Sequence, residues 1–305
     1  MRVGGQAPRL GRRQLLRRLL VGGAGVGAGL AALRGLRGRS EGAPALAAPA
    51  SPPPLPGSPP DRRTTSGVTV PADDPAITAG PVAYPGVITR LLGYLSTPQG
   101  GEVYPGILVL HDTPGLTEHV RDLTRRLAKA GYVALALDLL SREGGTAALG
   151  DPAKVSAALG SLTVPQYLQD AHSSVRYLES QPLAAKTRTG LLGLGFGGTL
   201  AWALLSQNAD PRAAVVFDGG IPPSSALARL SAAVLAIFAE TGRHDAAELS
   251  ELDAAMKKAG VPWQYKIEPR AGPGFFDDTR DRYVPAAAKD AWQLTLNWFH
   301  AHLAA

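Results

Sequence analysis

The chain has 305 residues, 45% of them hydrophobic and 18% charged, which is material for one large domain or two small ones with an ample core. It has no cysteine, which excludes disulfide scaffolds, thiolate metal centres and thiol nucleophiles. The formal net charge of +6 is local: residues 1–40 hold nine arginines and no acid, whereas the rest holds 22 basic and 25 acidic residues, so the body carries no basic footprint for nucleic acid.

The first segment, residues 1–47, has the order of an export signal. An arginine-rich stretch over residues 1–18 precedes an apolar run from Leu19 to Leu33, and small residues follow in Ala43-Pro44-Ala45 and Ala45-Leu46-Ala47. Arg12-Arg13 followed by Gln14-Leu15-Leu16 resembles a twin-arginine signal. The expectation is export across the cytoplasmic membrane, to the periplasm or beyond. The only membrane contact foreseen is the leader itself, should it stay uncleaved as an anchor. Residues 48–67 read as a linker: eight residues between Pro44 and Pro60 are proline, and no apolar period is present to offset the entropy of ordering. The folded domain is then 68–305.

Within it, Ile88 to Ser96 alternates weakly as a strand, and Gly106 to His111 is a continuous apolar run suited to a strand buried on both faces. Thr117 to Ala130 spaces Val120, Leu123 and Leu127 as a helix does, and Val133 to Leu137 is a second buried strand ending at Asp138. A helix over Val164 to Leu178, a strand over Gly190 to Leu194 and a helix over Thr199 to Gln207 follow. Ala213 to Phe217 and Ala233 to Phe238 read as strands, Asp245 to Ala259 as a helix and Trp263 to Glu268 as a strand. Ala286 to Leu303 closes the chain as a helix with Trp292, Leu296, Phe299 and Leu303 on one face. Strand and helix alternate, which predicts an α/β fold with a mostly parallel central sheet covered on both faces, and ligands at the carboxyl ends of its strands.

The turn after Leu194 has two readings. Gly193, Gly195 and Gly198 fit G-x-G-x-x-G between a strand and a helix, and Asp218 ends the next strand, which is the context of a dinucleotide-binding turn. Gly193 and Gly197 equally fit a nucleophile elbow, whose crowded strand–turn–helix backbone needs flanking glycines, although its central position is then Gly195, which has no side chain. Local sequence leaves both open.

Several ordered segments carry a resemblance. Tyr104 to Leu116, with His111-Asp112-Thr113-Pro114-Gly115-Leu116, is similar to a strand followed by an H-E-x-x-G-L loop. Gly131 to Leu139 is similar to G-Y-V-A-L-A-P-D-L, Gly193 to Gly198 to G-x-C-x-G-G, Ala271 to Asp278 to A-G-H-x-F-x-N-D, and Ala288 to Phe299 to A-x-x-A-W-x-R-T-L-x-F-F. In that order, over roughly residues 68–303, the body resembles the dienelactone hydrolase family of the α/β-hydrolases.

The resemblance implies acyl transfer on a lactone or ester by a nucleophile, an acid and a histidine, with two backbone N–H groups holding the oxyanion. The corresponding positions here are Gly195, Gly242 and Pro273, none of which can act in those roles. The oxyanion donors implied are the N–H groups of Thr113 and Phe196, with Asp112 standing for the family's glutamate and His111 fixing the loop. Asp218, Arg142, Glu240 and Phe276 are candidate wall residues, whereas His119 and His172 on cover helices, and His300 and His302 near the C-terminus, are expected in solvent.

The expectation is an exported homologue without its triad, a pseudoenzyme binding a small ester, lactone or carboxylate-like ligand, with no cofactor, metal or nucleic acid. The alternatives are an active carboxylic-ester hydrolase using Asp112 and His244, and a dinucleotide-binding protein using Gly193 to Gly198.

Overall fold

The computed structural model describes residues 69–207 and 211–304, so the leader and linker expectations lie outside the described residues. One sheet of eight strands organises the domain, in the order β1-β2-β4-β3-β5-β6-β7-β8. The strands are β1 (Ile77–Pro85), β2 (Arg90–Pro98), β3 (Tyr104–Leu110), β4 (Val133–Leu137), β5 (Ala184–Leu194), β6 (Ala213–Phe217), β7 (Ala233–Ala239) and β8 (Trp263–Glu268). β1 and β2 are antiparallel to their neighbours, and every pairing from β4 through β8 is parallel. This arrangement is the α/β-hydrolase fold.

β3 and β4 are almost wholly buried because helices cover both faces. The side-chain period of two sends Ile107 and Val109 to one face and Leu108 and Leu110 to the other. On the Ile107 side lie α1 (Glu118–Lys129), through Leu123 and Leu127, and the closing α8 (Pro285–Leu303), through Phe299 and Leu303. On the Leu108 side lie α4 (Val164–Glu179), α5 (Phe196–Leu205) and α7 (Ala246–Ala259). Three short helices, α2 (Thr146–Leu149), α3 (Pro152–Ser161) and α6 (Ser224–Leu227), sit in the connections. The N-terminal edge is tied down by charge: the buried Asp122 carboxylate accepts the N–H groups of Thr69 and Val70, and Arg125 donates to the Val70 carbonyl.

Glu268, at the end of β8, is 1% exposed and its Oε1 has no hydrogen-bond partner. Burial, with a smaller contribution from Asp290, pushes its carboxyl up to about 7. Below the ordinary value of 4.5 the folded and unfolded chains both carry the proton. Between there and 7 the unfolded chain loses it first, so stability falls as pH rises. Glu268→Gln removes that ionisation and is expected to stabilise the chain by about 1–2 kcal/mol at pH 8, with the gain vanishing near pH 4.5. Urea melts of both proteins at the two pH values measure it.

Candidate active site

The turn between β5 and α5 is a single residue. Gly195 has φ 50° and ψ −105°, a conformation that costs a side-chain-bearing residue strain. The neighbouring glycines are explained by packing of α5 on the sheet. A Cβ at Gly197 would stand 2.1 Å from the Leu110 carbonyl oxygen, and one at Gly193 would stand 2.7 Å from that of Gly197. Asp218, the acid expected of a dinucleotide site, has its Oδ1 accepting the Ala239 N–H at 2.8 Å.

A Cβ at Gly195 would fall 2.4 Å from Cγ and Oδ1 of Asp112 and 2.6 Å from its Oδ2. The Asp112 carboxylate therefore occupies the volume that an elbow side chain would take. It accepts the Phe196 N–H on Oδ1 at 2.9 Å, so one of the two implied oxyanion donors already holds an oxygen. His111 holds this loop in place. Its ring is fully buried, and Nε2 accepts the Leu139 N–H at 3.0 Å. The ring proton is consequently on Nδ1, which donates to the Asp112 carbonyl at 2.8 Å.

A cavity of about 850 Å³ opens here, at the carboxyl edge of the sheet. Asp112, Thr113, Gly195, Phe196 and Pro273 all line it, together with Asp218 and Phe276. The third triad position, Gly242, is not on the wall, although its neighbour Arg243 is. Arg142 and Glu240 lie outside the wall: Arg142 pairs with both oxygens of Asp170, and Glu240 accepts the Arg270 N–H. His244 is also outside it. Its Nε2 is 2.9 Å from the Gly219 carbonyl oxygen, its Nδ1 is 3.3 Å from Glu248, and its ring meets Phe238 edge-on. Burial, reinforced by the Arg243 charge, lowers its pKa, so the ring stays neutral at neutral pH.

The histidine on the cavity wall is His119, which corrects the expectation that it faces solvent: it is only 3% exposed. It sits in the first turn of α1, where the loop following Pro273 folds over it. Its Nδ1 is 2.9 Å from Asp278 and 3.6 Å from Asp277, and Phe276 packs edge-on against the ring. Asp278 also pairs with Arg126, which in turn pairs with Asp122. Burial alone would raise the Asp278 carboxyl, but the His119 hydrogen bond and the Arg126 charge outweigh it and hold the group below the usual carboxylate range. An ionised Asp278 only accepts, so His119 donates from Nδ1 and keeps Nε2 as its basic nitrogen. Asp277 completes a His–Asp–Asp grouping with metal-ligand spacing, yet Arg126 and Arg280 already pair with its two carboxylates.

Residues 91–303 match the model of the dienelactone hydrolase family. A relative from Methylorubrum extorquens, named provisionally as a carboxymethylenebutenolidase, is 29% identical over 77% of this chain and 84% of its own. Another from Bradyrhizobium, named provisionally as a 2-oxo-3-(5-oxofuran-2-ylidene)propanoate lactonase, is 30% identical over 70% of this chain and 90% of its own. A crystal structure from Klebsiella pneumoniae, described provisionally as a dienelactone hydrolase, superposes with a TM-score of 0.69 at 26% identity, covering 74% of this chain and all of that one.

Proposed function

The chain belongs to the dienelactone hydrolase family, and from that premise we propose that its cavity receives a small ester, lactone or carboxylate-bearing ligand without performing the family's acyl transfer. The observation that carries this reading is the Asp112 carboxylate, lodged where a nucleophile at position 195 would stand and bonded to the Phe196 N–H. Pro273 on the same wall has neither an N–H nor a titratable group, so it moves no proton. A position with no side chain forms no acyl intermediate, whatever else surrounds it.

Two measurements on the purified full chain test this. With p-nitrophenyl butyrate, nitrophenolate is expected to appear no faster than in buffer, without a burst. With millimolar γ-butyrolactone or its 2-carboxylate, the thermal transition is expected to rise, as it must when a ligand binds only the folded state. A burst overturns the loss of acyl transfer; an unmoved transition overturns the ligand class.

The arginine-rich leader supports a second part of the proposal, that the protein works outside the cytoplasmic membrane. The expected product in a native host is a chain beginning near Ala48, recovered outside the cytoplasm and missing there when twin-arginine transport is blocked. A full-length cytoplasmic chain would contradict it.

A further inference from the structure

Gly195 and Asp112 form a matched pair: a side chain at 195 and this carboxylate position exclude each other, with 2.4 Å between them. We propose that Asp112 is itself a nucleophile, and that the cavity hydrolyses small alkyl halides, in which the reacting carbon is saturated, rather than acyl compounds. This goes beyond the ligand-binding reading and does not depend on it.

The substrate class follows from carboxylate chemistry. Attack by a carboxylate on an ester carbonyl yields a mixed anhydride, a more reactive acyl donor than the ester consumed, so acyl transfer gains nothing from Asp112. Attack on a saturated carbon yields an ordinary ester. Asp112 is half-buried on the cavity wall, with Oδ1 on the Phe196 N–H. Oδ2 forms the new C–O bond, the carbon–halogen bond breaks, and halide leaves with the bonding pair. The wall sets Arg243, Arg280 and Arg282 against Asp112, Asp218, Asp277 and Asp281, and Arg280 pairs with Asp277, so a departing halide is met by individual guanidinium N–H groups rather than by a cationic wall.

The alkylated Asp112 is then hydrolysed. Water adds to Cγ, and negative charge develops on Oδ1, the atom that the Phe196 N–H already holds at 2.9 Å. His119, oriented by Asp278 through Nδ1, takes the water proton on Nε2. The intermediate collapses, the bond from carboxyl to alkyl oxygen breaks, and the departing alkoxide takes the proton from His119. The remaining proton of that water goes to solvent. The sum is alkyl halide plus water to alcohol, halide and a proton, and Asp112 is regenerated with one oxygen from water.

The test uses the purified full chain with 1-bromobutane, reading bromide release. Release above the buffer rate is expected, falling to the buffer rate in Asp112→Asn and Asp112→Ala, with thermal melts confirming that both fold. His119→Gln is expected to give a stoichiometric burst of bromide followed by turnover slowed about 10²–10⁴-fold, with a butyl ester on the peptide containing Asp112. In a single turnover in oxygen-18 water, the label is expected in the Asp112 side chain. Absence of bromide release from the folded parent overturns the proposal. So does an adduct on another residue, or label found only in butanol, which would make Asp112 a base toward water. The lactone-induced thermal shift in the same preparation reports separately on ligand binding.

Discussion

Gly197→Ala is expected to destabilise the folded chain by more than about 4 kcal/mol, a large share of what a domain of this kind possesses. The new methyl carbon would stand 2.1 Å from the Leu110 carbonyl oxygen, 2.4 Å from its carbon and 2.6 Å from the His111 carbonyl oxygen. All three are main-chain atoms at the end of β3, which is hydrogen-bonded to β4 on one side and β5 on the other, so they cannot yield. Relief requires α5 to lift from the sheet. That movement carries the Phe196 N–H away from Asp112 and opens the Gly193 contact with Gly197. Gly80→Ala, in the edge strand β1 with nothing within 4 Å of its added carbon, is the control and is expected to change stability by less than about 0.5 kcal/mol. Thermal melts of the two variants decide the matter. A Gly197→Ala chain that melts within a few degrees of the parent would refute the close approach of α5 to β3.

The same contact explains why the glycine turn was ambiguous as sequence. Glycines at 193, 197 and 198 serve a helix packed tightly on strands, a need shared by dinucleotide turns and nucleophile elbows, so spacing alone does not separate them. The central strands were legible because helices cover both faces: Ile107 to Leu110, Val133 to Leu137 and Ala233 to Phe238 are unbroken apolar runs. β1 was not, because Gly80, Pro81 and Pro85 argue against a strand and are tolerated only at an edge. β5 begins earlier than its apolar run because Lys186 and Arg188 extend it into solvent. The four-residue helices α2 and α6 have too few turns for a period to register, and α3, ten residues long, buries only Val155 and Leu159, too few apolar positions to set one. Within the site, the empty elbow at Gly195 could be placed by family resemblance, but what fills it could not. Asp112 lies 84 residues from its Phe196 partner, and His119 lies 159 from Asp278. Neither pairing has a local signature. The expectation of solvent at His119 rests on its place on a cover helix, outside the Val120, Leu123 and Leu127 spacing. Only the fold of the 273–282 loop, anchored by Phe275 and Phe276, turns that position into a cavity wall.

Rebuilding a working triad is expected to require Asp112→Ala in addition to substitutions at the triad positions. Gly195→Cys alone should give an inert and destabilised protein, because the backbone at φ 50° costs a non-glycine residue about 1–3 kcal/mol and the new side chain collides with the Asp112 carboxylate. Adding Asp112→Ala vacates that volume and frees the Phe196 N–H for a substrate oxygen. Pro273→His then places a base on the cavity wall. Gly242→Asp is the hardest step: its Cβ would stand 2.8 Å from the Ala239 carbonyl oxygen and 3.7 Å from Asp218 Oδ1, adding a like charge beside an existing one. Asp218 already lines the cavity, so a parallel variant that keeps Gly242 and relies on Asp218 to orient the new histidine separates the two possible acid positions. One of these variants is expected to hydrolyse p-nitrophenyl butyrate at least about 10²-fold faster than the parent, the scale of a positioned general base, with a nitrophenolate burst reporting the acyl-enzyme. If both fold and both stay inert, positions 195 and 273 are not the family's nucleophile and base. Success has a consequence for the other chemistry as well. The elbow side chain and the Asp112 carboxylate claim one volume, which is why Asp112→Ala is needed, and a chain that regains ester hydrolysis by that route must lose bromide release. Bromide release retained in a chain that carries Asp112→Ala would mean that another group is the nucleophile.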